Sequence, residues 1–112
     1  MWRAIAAIVV LTSATPAAAE PGRVMISGIG RASCATWLSS PDNEVQGNTW
    51  ILGFWTGQNY SQAGKGQAGL VGSSTDALGI IGAVKKRCLA DPASTLVSEA
   101  GQAYLEFRKA GR

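Results

Sequence analysis

The chain of 112 residues contains no histidine, so neither a histidine-based triad nor a histidine-based metal site can be built from it. Beyond the N-terminus its carboxylates are Glu20, Asp42, Glu44, Asp76, Asp91, Glu99 and Glu106. Asp42 or Glu44, Asp76 and Asp91 stand where helices are expected to begin. A carboxylate there satisfies unpaired N–H groups and complements the helix dipole. Glu99 and Glu106 fall on one expected helix and share a face about two turns apart. A glycosidase pair of that kind needs a cleft between its members, and a solvated helix face is the default reading. Gly64-Lys65-Gly66-Gln67-Ala68-Gly69 carries the letters G-x-G-x-x-G. Dinucleotide binding also requires a preceding strand, a helix opening at the third glycine and an acidic residue about 20 positions on. That context is missing, and a flexible loop is expected. Asn59-Tyr60-Ser61 spells a glycosylation sequon, relevant only in a eukaryotic host. The inventory argues against an enzyme, and no catalytic residue, metal or cofactor is expected.

The other reactive groups are two thiols, Cys34 and Cys88. Their state depends on compartment. Met1-Trp2-Arg3, the apolar run Ala4 to Leu11 and the small residues leading to Ala17-Ala18-Ala19 read as a secretory signal over 1–19, cut before Glu20. Its apolar core is shorter than the roughly 20 residues that span a bilayer, so no membrane association is expected after cleavage. The short Ala-rich signal looks bacterial, which places the mature chain in the periplasm. There an even cysteine count usually means a bridge. One intramolecular bridge, two buried free thiols and an intermolecular bridge remain the alternatives. An intramolecular bridge would close a loop of about 55 residues and stabilise the fold by roughly 4 kcal/mol on the chain-entropy model. After the signal, nine Lys or Arg residues face seven Asp or Glu. They are scattered apart from Lys85-Lys86-Arg87, expected at a helix C-terminus where cations relieve the dipole. No nucleic-acid partner is expected.

The elements that position these groups read as a lead-in over 20–32 and one helical domain over 33–112. The lead-in is Gly-rich, with Val24-Met25-Ile26 as a short extended piece. Ser33 is expected to cap a short helix with Cys34, Trp37 and Leu38 on one face, ended by Ser39-Ser40-Pro41-Asp42. Asp42 or Asn43 is expected to cap a second helix running to Gln58 or Tyr60. Gly47, Gly53 and Gly57 each cost it up to about 1 kcal/mol against alanine, which predicts close approach of a backbone or of a large ring, with Trp37, Trp50 and Trp55 as partners. Trp50 and Phe54 are expected to face the core. Trp55 is expected to cover a Gly-rich loop over 61–74, to pack on the lead-in, or to be exposed. Trp50, Phe54, Trp55 and Tyr60 form the candidate surface for protein clients or a single protein partner. Ser74 or Thr75 should cap a third helix with the stripe Leu78, Ile81, Val84 (or Ile80), Cys88 and Leu89. Asp91-Pro92 should open a fourth, with Leu96, Val97, Ala100, Ala103, Tyr104 and Phe107 inward and Gly111 after its end. The expected fold class is all-α, a small single-domain bundle of about four helices tied by one disulfide.

In order, the motifs are Cys34-Ala35-Thr36-Trp37-Leu38, Gly53-Phe54, Thr75-Asp76-Ala77-Leu78-Gly79-Ile80 and Cys88-Leu89-Ala90-Asp91. Over about Cys34 to Phe107 this order resembles the periplasmic acid-stress chaperones of the Hde family. The resemblance implies an all-helical domain with Cys34 bridged to Cys88, possible homodimers, and binding of unfolded clients through apolar surface released by acid. The chain departs from that family in its charged fraction of only 15%, in its Gly-rich loop and in a shorter third helix. The G-F-x-x-G segment also looks distantly like periplasmic immunity proteins of type VI secretion, which implies the alternative of an inhibitor bound to a toxin or hydrolase. A structural envelope protein is a third class.

Overall fold

The computed structural model describes residues 6–11 and 21–112. Residues 6–11 lie in no regular element, with Ile8 to Leu11 exposed. The expected cleavage site at Ala17–Ala19 and Glu20 lies outside the described residues. Among those residues no helix is long and apolar enough to cross a membrane, and none belongs to a strand. The domain is an all-α bundle of four helices with one disulfide.

Helix α1 (Cys34–Trp37) is a single turn. Ser33 is extended, and its Oγ accepts the Thr36 N–H at 3.1 Å, as the capping pattern predicts. Helix α2 (Pro41–Gly64) follows almost at once. Its cap is Ser40, whose Oγ accepts the Asn43 N–H at 3.1 Å, and not Asp42 or Asn43. Pro41 takes the first helical position, where a missing N–H costs nothing, so a segment that reads as a turn is a helix start. The helix also passes the expected end at Gln58 or Tyr60. Gln62 is buried and extends the inward row of Gly47, Ile51 and Trp55 by nearly two turns, which shortens the expected loop at 61–74.

Of Gly47, Gly53 and Gly57 in α2, only Gly47 meets a ring. A Cβ on Gly47 would lie 2.0 Å from Trp37 Cδ1, and the Trp37 Nε1–H donates to the Glu44 carbonyl at 3.1 Å. Gly53 and Gly57 have nothing within 4 Å of that position. They lie on the outer face, so the close approach expected of them is absent.

Helix α3 (Ala77–Ala90) is capped by Asp76, which accepts the Gly79 N–H at 2.8 Å, rather than by Ser74 or Thr75. Its inner row is Ile80, Val84 and Cys88, while Leu78 and Leu89 are exposed. Cys88 must meet Cys34, and the residues four and eight positions before it share its face. That requirement rolls Leu78 and Leu89 outward. Helix α4 (Leu96–Lys109) buries Leu96, Ala100, Ala103, Tyr104 and Phe107 as the periodicity predicts. It opens at Thr95, whose Oγ1 accepts the Ser98 N–H at 3.3 Å, and not at Asp91-Pro92. The Asp91 N–H still closes α3 onto the Arg87 carbonyl. The carbonyls of Pro92 and Ser94 are taken by the N–H groups of Ala35 and Cys34, at 3.0 and 2.8 Å, and the Leu96 N–H donates to Ala32. This short antiparallel bridge, centred on Ser33 and Thr95, satisfies the first turns of two helices with each other's backbone and keeps 92–95 out of the helix.

Part of the lead-in belongs to this bundle. A 3-10 turn at Gly28–Arg31 docks under Trp50. The Trp50 Nε1–H donates to the Ser27 carbonyl at 2.9 Å, and a Cβ on Gly30 would come within 2.1 Å of the ring. Val24 and Met25 remain exposed. The core unites Cys34, Trp37, Ile51, Trp55, Val84, Cys88 and the buried row of α4. The bridge between Cys34 and Cys88 has an S–S distance of 2.06 Å and joins α1 to the end of α3.

Candidate functional site

The four candidate aromatic residues do not share one surface. Trp55 is 3% exposed and meets Tyr104 and Phe107 edge-on, with centroids 5.1 and 5.2 Å away. Its Nε1–H donates to the Val71 carbonyl at 2.8 Å. Of the three places open to it, Trp55 therefore covers the Gly-rich loop from inside. Trp50 and Phe54 are stacked 5.2 Å apart and half-buried at the rim, while Ile51 and Trp55 take the centre expected of them. Tyr60 is exposed on α2.

The loop between α2 and α3 is pinned by a residue that reads, in sequence, only as part of a sequon. The Asn59 Nδ2–H donates to the Val71 carbonyl at 3.1 Å, and the Val71 N–H donates to Asn59 Oδ1 at 3.2 Å. Tyr104 adds its hydroxyl proton to the same Oδ1 at 2.8 Å. At the α2 end of the loop Arg108 donates to Gln67 Oε1 at 2.8 Å, and the Arg112 guanidinium lies 4.2 Å from the centroid of Phe107. Burial pushes the Tyr104 hydroxyl above its ordinary value of 10.0, partly offset by the Arg108 charge. A raised folded value means the neutral form stabilises the fold. That contribution is complete below about pH 10 and is lost as pH rises through the folded value. Tyr104→Phe is therefore expected to flatten the alkaline limb of a stability-against-pH curve measured by urea unfolding. An unchanged limb would show that Tyr104 does not titrate with unfolding.

Charge is organised around Arg87. Its Nε lies 3.5 Å from Glu99 Oε2, and its Nη1 pairs with Glu106 Oε1. Glu99 is 7% exposed, which corrects the solvated face expected for it. The two carboxylates share one guanidinium across α3 and α4, beside an open hollow of about 580 Å³ that Lys86 and Arg112 also line. Lys85 Nζ pairs with Glu44 Oε1 at 2.9 Å and links α3 to α2.

A second hollow, of about 340 Å³, opens between α2 and α4. Phe54 and Gln58 form one wall with Gln62, and Val97, Gly101 and Leu105 form the other. Gln62 is 6% exposed, and its buried Oε1 has no hydrogen-bond partner. Of this lining, sequence reasoning singled out Phe54, Val97 and Tyr104 as apolar positions and neither Gln62 nor Gly101. The signal available was the four-residue spacing of Gln58 and Gln62 from Phe54, opposite Gly101 and Leu105 at the same spacing.

No family model, curated protein or solved structure matches this chain. Functional argument therefore rests on the arrangement itself. Among the described residues no group of three or more Cys, Asp or Glu side chains is placed to hold a metal ion. The bundle offers a locked core, an Arg87-centred ion cluster and an uncharged furrow with an unpaired amide oxygen.

Proposed function

We propose that this is an exported periplasmic protein that holds unfolded polypeptides, in the manner of an acid-stress chaperone of the Hde kind. The leader-like N-terminus, the motif order and the intramolecular disulfide support export to an oxidising compartment. The observation that carries the reading is the Glu99–Arg87–Glu106 cluster, joined by Lys85–Glu44. Every described ion pair in this set crosses between helices and depends on an ionised carboxylate. The exposed pairs are screened by solvent and contribute less than about 1 kcal/mol each. Glu99 is different. Its carboxylate is nearly enclosed, and its Oε2 meets the inward Arg87 Nε at 3.5 Å as a charge contact in which neither atom has a hydrogen-bond partner, so removing either charge leaves the other buried and uncompensated. The α3–α4 contact is thus held partly by charge, with Phe107 beside the cluster and Trp55 against Phe107. The disulfide does not respond to protons and limits how far the chain opens.

The test follows tryptophan fluorescence and near-UV circular dichroism from neutral pH to about pH 2.5, where carboxylates are generally protonated. Light scattering from an unrelated acid-unfolded client is recorded in parallel. Loosened tertiary structure with retained helix, and suppressed client aggregation, is the expected result. Glu99→Gln is expected to loosen the neutral form, because it leaves the Arg87 charge uncompensated at the α3–α4 contact. A protein that stays fully packed in acid and leaves aggregation unchanged would defeat the reading. In that case, tight capture of one toxin or hydrolase would establish the inhibitor alternative.

A further inference from the structure

We infer that the loop between α2 and α3, together with the end of α4, docks on an anionic phospholipid surface at headgroup depth. The proposal goes beyond the polypeptide-holding reading and does not depend on it. Arg108 and Arg112 line a shallow hollow of about 260 Å³ with Ala68, Leu70, Val71 and Ser73, and no Asp or Glu side chain lines it. Arg108, Lys109, Arg112 and, at the end of α2, Lys65 are exposed. None of these four pairs with an Asp or Glu side chain among the described residues. The neighbouring carboxylates are engaged elsewhere: Glu106 pairs with Arg87, and Asp76 caps α3. Cations gathered without counter-charge are drawn to an anionic leaflet, and salt weakens that pull. The expectation of no membrane association rested on the leader's apolar length, which bears on spanning and not on surface contact.

The apolar part of the surface is Leu70, 69% exposed on a backbone that cannot turn it inward. A Cβ on Gly69 would lie 2.2 Å from the Asn59 carbonyl oxygen, so only glycine lets the chain press this close to α2. Val71 is tied to Asn59 through both its N–H and its carbonyl. The Ser73 N–H donates to the Leu70 carbonyl at 3.0 Å. The loop's own hydrogen bonds thus hold the leucine out in water. The cations beside it are held as well: Arg108 on Gln67, and Arg112 over the Phe107 ring. The Gly72 N–H also donates to the main-chain oxygen of Arg112 at 3.1 Å. A leucine presented beside fixed guanidinium groups fits a bilayer interface, where the apolar group enters the acyl boundary and the cations stay with the phosphates. One such side chain and a few charges give a reversible contact that needs no spanning helix.

The experiment measures co-sedimentation of the full chain with vesicles of phosphatidylcholine alone and of an equimolar mixture with phosphatidylglycerol. The apolar run at 4–11 is common to every variant, so differences between variants report this surface. Wild type is expected to prefer the anionic vesicles, with affinity falling as salt rises. Leu70→Ser and Arg108→Gln are each expected to weaken that binding about fivefold, while Arg108→Lys keeps it. Arg31→Gln serves as the charge-matched control, because Arg31 adjoins Ala32, whose carbonyl accepts the Leu96 N–H at the opposite end of α4; it is expected to bind as wild type does. Melting temperatures are compared throughout. Should Arg108→Gln melt early through loss of its Gln67 contact, Arg112→Gln, with the same expected loss, decides. Wild type that ignores the anionic vesicles, or binds both kinds equally, overturns the proposal. Equal losses in Arg31→Gln and Arg108→Gln also overturn it, because they reduce the effect to the general attraction of a basic chain. So does wild-type binding by Leu70→Ser, the behaviour of a site for soluble polyanions.

Discussion

Reducing the Cys34–Cys88 bridge is expected to lower the melting temperature by roughly 15–30 °C. The loop it closes, with a sequence separation of 54, gives about 4 kcal/mol on the chain-entropy model. Each kcal/mol moves the midpoint of so small a domain by about 4–8 °C. Total stability in small domains is only about 5–15 kcal/mol, so this one bond carries a large share. Both cysteines are fully buried, and two thiols need more room than a bonded pair, so reduction also crowds the core around them. The helices should persist, because the backbone bridge between Ser33 and Thr95 and the caps at Ser40, Asp76 and Thr95 do not involve sulfur. Thermal scans with and without reductant, with mass spectrometry confirming two free thiols, measure the effect. An unchanged midpoint in fully reduced protein contradicts it.

Trp55→Ala is expected to destabilise the domain by about 3–5 kcal/mol, the range for a core aromatic cut to alanine. The ring touches both α4 aromatics and the loop backbone at once. Removing it vacates the junction of α2, α4 and the loop, and leaves the Val71 carbonyl with Asn59 alone. Two measurements follow: urea unfolding for the energy, and amide exchange around 69–73 for the loop. Exchange there should quicken more than in α1. A variant within about 1 kcal/mol of wild type would mean that the core tolerates the cavity and that the loop is held by Asn59.

The aromatic residues show how far the sequence was legible and where it stopped. Helical spacing placed Leu96, Ala100, Ala103, Tyr104 and Phe107 correctly, because α4 has one apolar face and a polar remainder. It failed on α2, which carries apolar groups on several faces. There the roll is set by contacts distant in sequence: Trp37 on Gly47, Trp50 on Gly30 and Trp55 on Val71. In α3 the thiol chose between two plausible apolar stripes, and Leu78 and Leu89 went to solvent. Asp91-Pro92 was a sound local start signal overridden by hydrogen bonds to Cys34 and Ala35. Glu99 read as a surface charge because its partner, Arg87, lies on another helix. The furrow escaped notice for a similar reason. Gln62 has no local signature of burial, and its enclosure appears only when α4 lies across from it.

The bond between Cys34 and Cys88 makes residues 34–88 a covalent ring, with the lead-in and α4 as two tails. Because Ala32 and Leu96 are hydrogen-bonded beside it, both tails leave the ring at the same place. A protease that severs the peptide chain once between α2 and α3 opens the ring without dividing the molecule. Shedding either half takes a second cut, or a reductant.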